Sequence, residues 1–214
     1  MSGEGSTSRE VTGAAPSVWN LANALTTLRI LLVPVLGWLL LSDGGHDVAH
    51  RIWAFAVFAL AITTDRIDGD IARRHNLVTD FGKIMDPIAD KALTGMALVG
   101  LSLDHDLWWW VTILVLGREV LVTGLRFWVI RHGVIAASTG GKIKTSLQAL
   151  ALMGLILPFR QLSGGWHDLG LVLWWAAVAV MAAAVVVTLG TGFDYVRRAL
   201  SLRRADLTPR DAGQ

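Results

Sequence analysis

The sequence predicts an all-α, polytopic membrane protein with six transmembrane helices. Three observations predict it: the apolar composition, six apolar runs of near-membrane length, and a lopsided placement of cations. Hydrophobic residues make up 53% of the 214-residue chain and charged residues only 17%, against about a quarter charged in soluble domains. Mean hydropathy is +0.52. The absence of cysteine excludes disulfides and thiolate metal sites. Ten Trp stand against one Tyr, and Trp favours the membrane–water interface, where its ring is apolar and its N–H stays wet.

Residues 1–16 are rich in Ser, Gly, Thr and Ala and read as a disordered tail. They lack the basic segment and apolar run of a secretory signal. One membrane domain is expected over 17–200, then a basic cytoplasmic tail over 201–214. Within the domain the apolar runs are 21–41, 52–72, 87–103, 107–130, 143–157 and 169–196. Each is near the length that crosses about 30 Å of hydrocarbon as a helix, the third and fifth being the weakest. Period-two alternation, the mark of a membrane β-barrel, is missing from them. Breakers mark the joints at Asp43-Gly44-Gly45, Asp104-His105-Asp106 and Ser163-Gly164-Gly165.

With six spans, the first, third and fifth connections share one side of the membrane. They hold Arg51 and Arg160; setting these aside leaves 17 of the 19 Lys and Arg for the tails, the other connections and the adjoining helix ends. The positive-inside rule makes that second side cytoplasmic, with both termini. Trp38, Trp53, Trp108, Trp109, Trp110, Trp166 and Trp174 fall near the outer side, as an interfacial belt would.

The chemistry is concentrated in the second and third runs. At about 100° per residue, Asp65, Asp68, Gly69, Ala72 and Arg73 share an arc of about 140°, and Asp70 lies outside it. On the next helix Gly82, Asp86 and Asp90 recur every four residues and stack on one face. A short connection makes the two helices antiparallel neighbours, so four carboxylates converge near the cytoplasmic end. Packed carboxylates repel one another and lose hydration. Hard divalent cations with oxygen ligands, Mg²⁺ or Mn²⁺, would offset both. Gly69, Ala72 and Gly82 leave room for a flat ligand, and Arg73 offers a planar fork to phosphate. The competing reading is a solvated face whose acids pair with Arg66, Arg73, Arg74, Lys83 and Lys91. Carboxylates at helical register in a membrane are costly and rarely idle, which favours the site.

The spacing D-x2-D-G-x2-A-R-x8-G-x3-D-x3-D, from Asp65 to Asp90 without a gap, resembles the signature of the CDP-alcohol phosphotransferase family. The resemblance covers most of the chain from Asn20 to about Pro158. It implies six transmembrane helices, a homodimer, and two Mg²⁺ or Mn²⁺ ions per active site. It also implies that Asp65, Asp68 and Asp86 ligate metal, and that Asp90 is a metal-adjacent general base. Gly69, Ala72, Arg73 and Gly82 then contact the nucleotide. Arg66 stands where many relatives have an aromatic residue; phosphate and headgroup contact both fit it.

Asn20, Asn23 and Thr26 come three apart on the first helix. They serve either to cap the helix and bond a neighbouring span or, as the resemblance implies for Asn23 and Thr26, to contact the nucleotide or diphosphate. Arg118 and Arg126 lie within the fourth run, and Lys142 and Lys144 open the fifth. An Arg embedded there needs an anion or a carboxylate, and Glu119 is an internal candidate. The lysines fit anionic headgroups equally well. Together the four make a basic pocket for a phosphorylated acceptor.

Gly117-Arg118-Glu119 to Arg126 and Gly141-Lys142 to Gln148 resemble the branch of that family that makes phosphatidylglycerophosphate from CDP-diacylglycerol and sn-glycerol 3-phosphate. Phosphatidylinositol-phosphate synthase and cardiolipin synthase are the alternatives within the family. The expected partners are these two substrates, membrane lipids and a second copy of the chain, with no nucleic acid. A small cation or proton transporter is the alternative of another class, since intramembrane acids also line ion paths. A transporter would spread them through several spans near mid-membrane; these crowd two helices at one end.

Overall fold

The computed structural model describes residues 21–74, 80–129 and 139–206. Among them the chain forms six α-helices and no strand: α1 Leu21–Leu41, α2 Val48–Arg74, α3 Asp80–Leu103, α4 Trp109–Val129, α5 Thr139–Ile156 and α6 His167–Asp206. The tail expected over 1–16 lies outside the described residues, and α6 continues helical into the first part of the segment expected as the other tail.

Three stretches, Asn23–Gly45, Val48–Asp65 and Gly164–Arg197, are long and apolar enough to cross a membrane by length and composition. The other three helices are interrupted by charge. α3 carries Asp86, Asp90 and Lys91 in its first half, α4 carries Arg118 and Glu119, and α5 opens on Lys142 and Lys144. Asp86, Asp90, Arg118, Lys142 and Lys144 are candidate site residues, as are Gly82 of α3 and Arg126 of α4; the others sit on α1 and α2.

The core is built where the helices face one another. α1 packs along α2 and α3, and α5 along α6. Leu36, Leu40, Phe58, Leu93, Leu98, Leu101, Leu152 and Leu155 are fully buried between them. Glycines set two close crossings. A Cβ at Gly37 would lie 2.8 Å from Met96 Sδ, and one at Gly154 would lie 2.7 Å from the Ala177 Cβ. The outer faces are apolar and uncovered: Leu31, Trp53, Ile113, Val120, Val172, Val186 and Phe193 are exposed. Apolar surface on that scale is the face a helix bundle offers to lipid.

The end of the bundle away from the aspartates is closed by an ion cluster around Arg51, which is 1% exposed. Its Nε donates to the Gly45 carbonyl at 2.8 Å and its Nη1 to the Leu155 carbonyl at 3.3 Å. Its Nη2 pairs with the carboxylates of Asp104 and Asp106. Arg160 Nη1 meets the other oxygen of Asp106 at 2.6 Å and lies over the Trp174 ring. The two cations that depart from the charge asymmetry of the sequence are therefore both paired with acids.

Candidate active site

α1 supplies a polar wall. Asn23, Thr26 and Arg29 are three residues apart and all buried, Arg29 to 3% exposure. The Thr26 hydroxyl donates to Asp86 of α3. Arg29 Nη1 pairs with Asp65 of α2 at 2.8 Å. One helix thus holds an aspartate on each of the two helices that carry the signature. Thr26, expected beside the nucleotide, here orients a carboxylate, and Asn23 accepts the Thr27 hydroxyl on its backbone carbonyl at 2.9 Å. Gly82 is buried one turn before Asp86. Asp68, Gly69, Ala72 and Arg73 lie on the last turns of α2, and Arg126 and Lys142 on α4 and α5. The side chains of these residues are outside the described part.

A cavity of about 680 Å³ opens among α2, α3, α4 and α5. Its charged lining residues are Arg29 of α1, Asp65, Asp90, Lys91, Glu119 and Lys144. Its apolar wall comes from Ala61, Ile62, Leu93, Val115, Leu116 and Ala149. Lys144 is buried and ion-paired with Glu119. Lys91 Nζ lies 3.6 Å from the same carboxylate. Arg118 Nη1 reaches it at 3.2 Å, while Nη2 donates to Thr191 of α6 at 3.1 Å. The internal pairing of Arg118 with Glu119 that the sequence left open is present.

Sequence reasoning passed over Arg29, Lys91 and Glu119 as site residues. For Arg29 the signal was there: it extends the three-residue series Asn20, Asn23, Thr26 by one step. For Lys91 and Glu119 it was not, because each looks like an ordinary ion-pair partner until α3, α4 and α5 are packed together.

Carboxylate oxygens are the donors a hard divalent cation takes, and α1 reaches one on each aspartate helix: Arg29 pairs with Asp65 of α2 and Thr26 donates to Asp86 of α3. Among the described residues, Asp65, Asp86 and Asp90 do not themselves form a group of close ligand atoms, so the convergence expected of them is not seen there. A different group, Asp43, Asp47 and His50, brings three ligand atoms together between α1 and α2. Asp47 accepts the backbone N–H groups of His50 and Ala49 at 3.1 and 3.4 Å and so caps the start of α2. Chiefly the His50 N–H holds its carboxyl below the usual range. Capping accounts for Asp47 in that group, while Asp43 faces the His50 ring at 3.6 Å.

The family model described as CDP-alcohol phosphatidyltransferase matches residues 19–190. The chain belongs to this family. It is a transferase of phospholipid biosynthesis and a multi-pass membrane protein, and the transporter alternative falls away. Among curated members of the family, the chain is 54% identical over 181 residues to a probable phosphatidylglycerophosphate synthase of Mycobacterium tuberculosis, covering 85% of this chain and 82% of that one. It is 42% identical over 176 residues to the CDP-diacylglycerol–glycerol-3-phosphate 3-phosphatidyltransferase of Bacillus subtilis, covering 75% and 89%. It is 35% identical over 198 residues to the protein of that name in Escherichia coli, covering 88% and 97%.

Proposed function

We propose that the chain transfers the phosphatidyl group of CDP-diacylglycerol to the primary hydroxyl of sn-glycerol 3-phosphate, giving phosphatidylglycerophosphate and CMP. The observation that carries this is the mixed lining of the cavity, which combines carboxylates and cations with apolar side chains. A lipid diphosphate and a phosphorylated alcohol together need such a surface. The names of the relatives favour the same pair of substrates.

Asp65, Asp68, Asp86 and Asp90 would hold two Mg²⁺ or Mn²⁺ ions. When bound, such ions neutralise charge on the diphosphate. Arg29 and Thr26 hold Asp65 and Asp86 in place. Asp90 takes the proton of the acceptor hydroxyl, whose oxygen attacks the phosphorus nearer the lipid as the bond to CMP breaks. Asn23, Gly69, Ala72, Arg73 and Gly82 form the nucleotide wall, with Thr26 at its edge. Arg118, Arg126, Lys142 and Lys144 form the acceptor phosphate wall. All six helices span the membrane, the third to fifth sheltering their charges inside the bundle. Both termini and the site lie on the cytoplasmic side, and the enzyme is a homodimer.

A panel of labelled acceptors tests this on purified enzyme: glycerol 3-phosphate, inositol phosphate, inositol, serine and phosphatidylglycerol. CMP release and label in lipid are expected with glycerol 3-phosphate. Label from inositol phosphate or phosphatidylglycerol instead would refute the assignment and favour the corresponding branch.

A further inference from the structure

One carboxylate in the cavity does more than neutralise a neighbour. Glu119 of α4 meets cations from three helices. Its Oε1 takes Lys144 of α5 and Arg118 of its own helix, and its Oε2 faces Lys91 of α3. Both oxygens are engaged, so the carboxylate has a set orientation. Lys91, Glu119 and Lys144 line the same cavity as Asp65 and Asp90. A lysine ammonium on a four-carbon stem has no fixed direction of its own, and a buried one without a counter-ion is costly. Three cations held by one carboxylate make a basic wall beside Asp65 and Asp90, and cations of this kind form charge-assisted hydrogen bonds to a phosphate.

We propose that Glu119 is a positioning residue of the acceptor site, its carboxylate gathering Lys91, Arg118 and Lys144 into one basic wall for a phosphorylated acceptor. The inference rests on the reading of this cavity as a site of phosphatidyl transfer. It adds a residue that touches neither substrate and acts through the cations it holds.

The test compares Glu119→Gln and Glu119→Asp with the wild type, purified in detergent with Mg²⁺. Each is assayed with whichever phosphorylated acceptor the wild type turns over, so a wrong acceptor identity changes the substrate and not the outcome read. Glu119→Gln keeps the shape and loses the charge. Its acceptor KM is expected to rise about tenfold, the scale of one charge-assisted bond to phosphate. Its KM for CDP-diacylglycerol should stay near the wild-type value, its melting temperature should fall because buried Lys144 loses its counter-ion, and Glu119→Asp should recover part of both the acceptor affinity and the stability. Combined with Lys144→Gln, the Glu119→Gln change should add less than it does alone, since both act on one contact. An unchanged or lowered acceptor KM would overturn the proposal, as would equal loss of both affinities. If Glu119→Gln is recovered unfolded, Glu119→Asp decides: a raised acceptor KM supports the role and a wild-type value refutes it. A wild type that turns over no phosphorylated acceptor overturns both readings.

Discussion

Thr26 and Arg29 tie α1, which is long and apolar enough to cross a membrane, to both aspartate helices. Thr26 donates to Asp86 and Arg29 pairs with Asp65, so these side chains set the orientation of both carboxylates. Replacing Asp65 or Asp86 by Asn should abolish most Mg²⁺-dependent turnover in a protein that still elutes as folded. Near-normal turnover of Asp86→Asn would exclude a ligand role. Thr26→Val removes only the orienting hydroxyl. Loss of such an outer partner typically weakens metal affinity about 10- to 100-fold. Mn²⁺ binding followed by electron paramagnetic resonance should show that loss, and Thr26→Ser should restore it. On the acceptor side, Arg118→Ala and Arg126→Ala should each raise the glycerol 3-phosphate KM about tenfold, since a lost charge-assisted bond to phosphate is worth roughly 1.5–3 kcal/mol. Arg→Lys keeps the charge without the planar fork, so it should recover part of that affinity. A selective rise in the KM for CDP-diacylglycerol would place these arginines at the other substrate.

At the scale of the helix, apolarity in the sequence located all six elements but measured their buried middles rather than their ends. The run 21–41 coincides with α1, whereas α2, α3 and α5 begin several residues before their apolar runs. Those extensions hold Arg51, Lys83 and Lys142, charged residues that an apolar run does not include. The aspartate register was legible because helical periodicity is local. The attachment of α1 to both aspartate helices was not, since it depends on which neighbours α1 packs against. Close crossings were equally hidden, and the glycines at them should differ in tolerance. At Gly37 the obstacle to a methyl group is the thioether of Met96, a flexible end that can move. At Gly154 it is the Cβ of Ala177, fixed to the backbone of α6. Ala in place of Gly favours a helix by about 1 kcal/mol, while overpacking costs about 1–3 kcal/mol. Gly37→Ala should therefore be neutral or stabilising and Gly154→Ala destabilising, as read from melting temperatures in one detergent. Equal melting temperatures would show that α5 and α6 part more easily than their packing implies.

Across the whole molecule, function and fastening lie at opposite ends. The carboxylates and the cavity occupy one end, and Arg51 with Asp104, Asp106 and Arg160 closes the other. Arg51→Met would leave two buried carboxylates short of a cation, which costs about 3–5 kcal/mol when a buried pair is broken. Melting temperature should fall, and both substrate KM values should hold. Burial pushes the Asp104 carboxyl above its usual range even against the pull of Arg51. The folded state therefore takes up that proton before the unfolded state does, so acidification toward about pH 4, the unperturbed value, favours folding at this site. The gap between Arg51→Met and wild type should narrow as pH falls; a constant gap would mean the carboxylates are not the source of the loss. The same cluster imposes an order on biogenesis. Arg51 leaves the ribosome 53 residues before Asp104 and 104 residues before Leu155. A nascent chain halted between them holds a guanidinium whose acids have not yet been made. The fastening closes only when the fifth helix supplies the Leu155 carbonyl, so a chain that stops short of that helix keeps one arm of the guanidinium open.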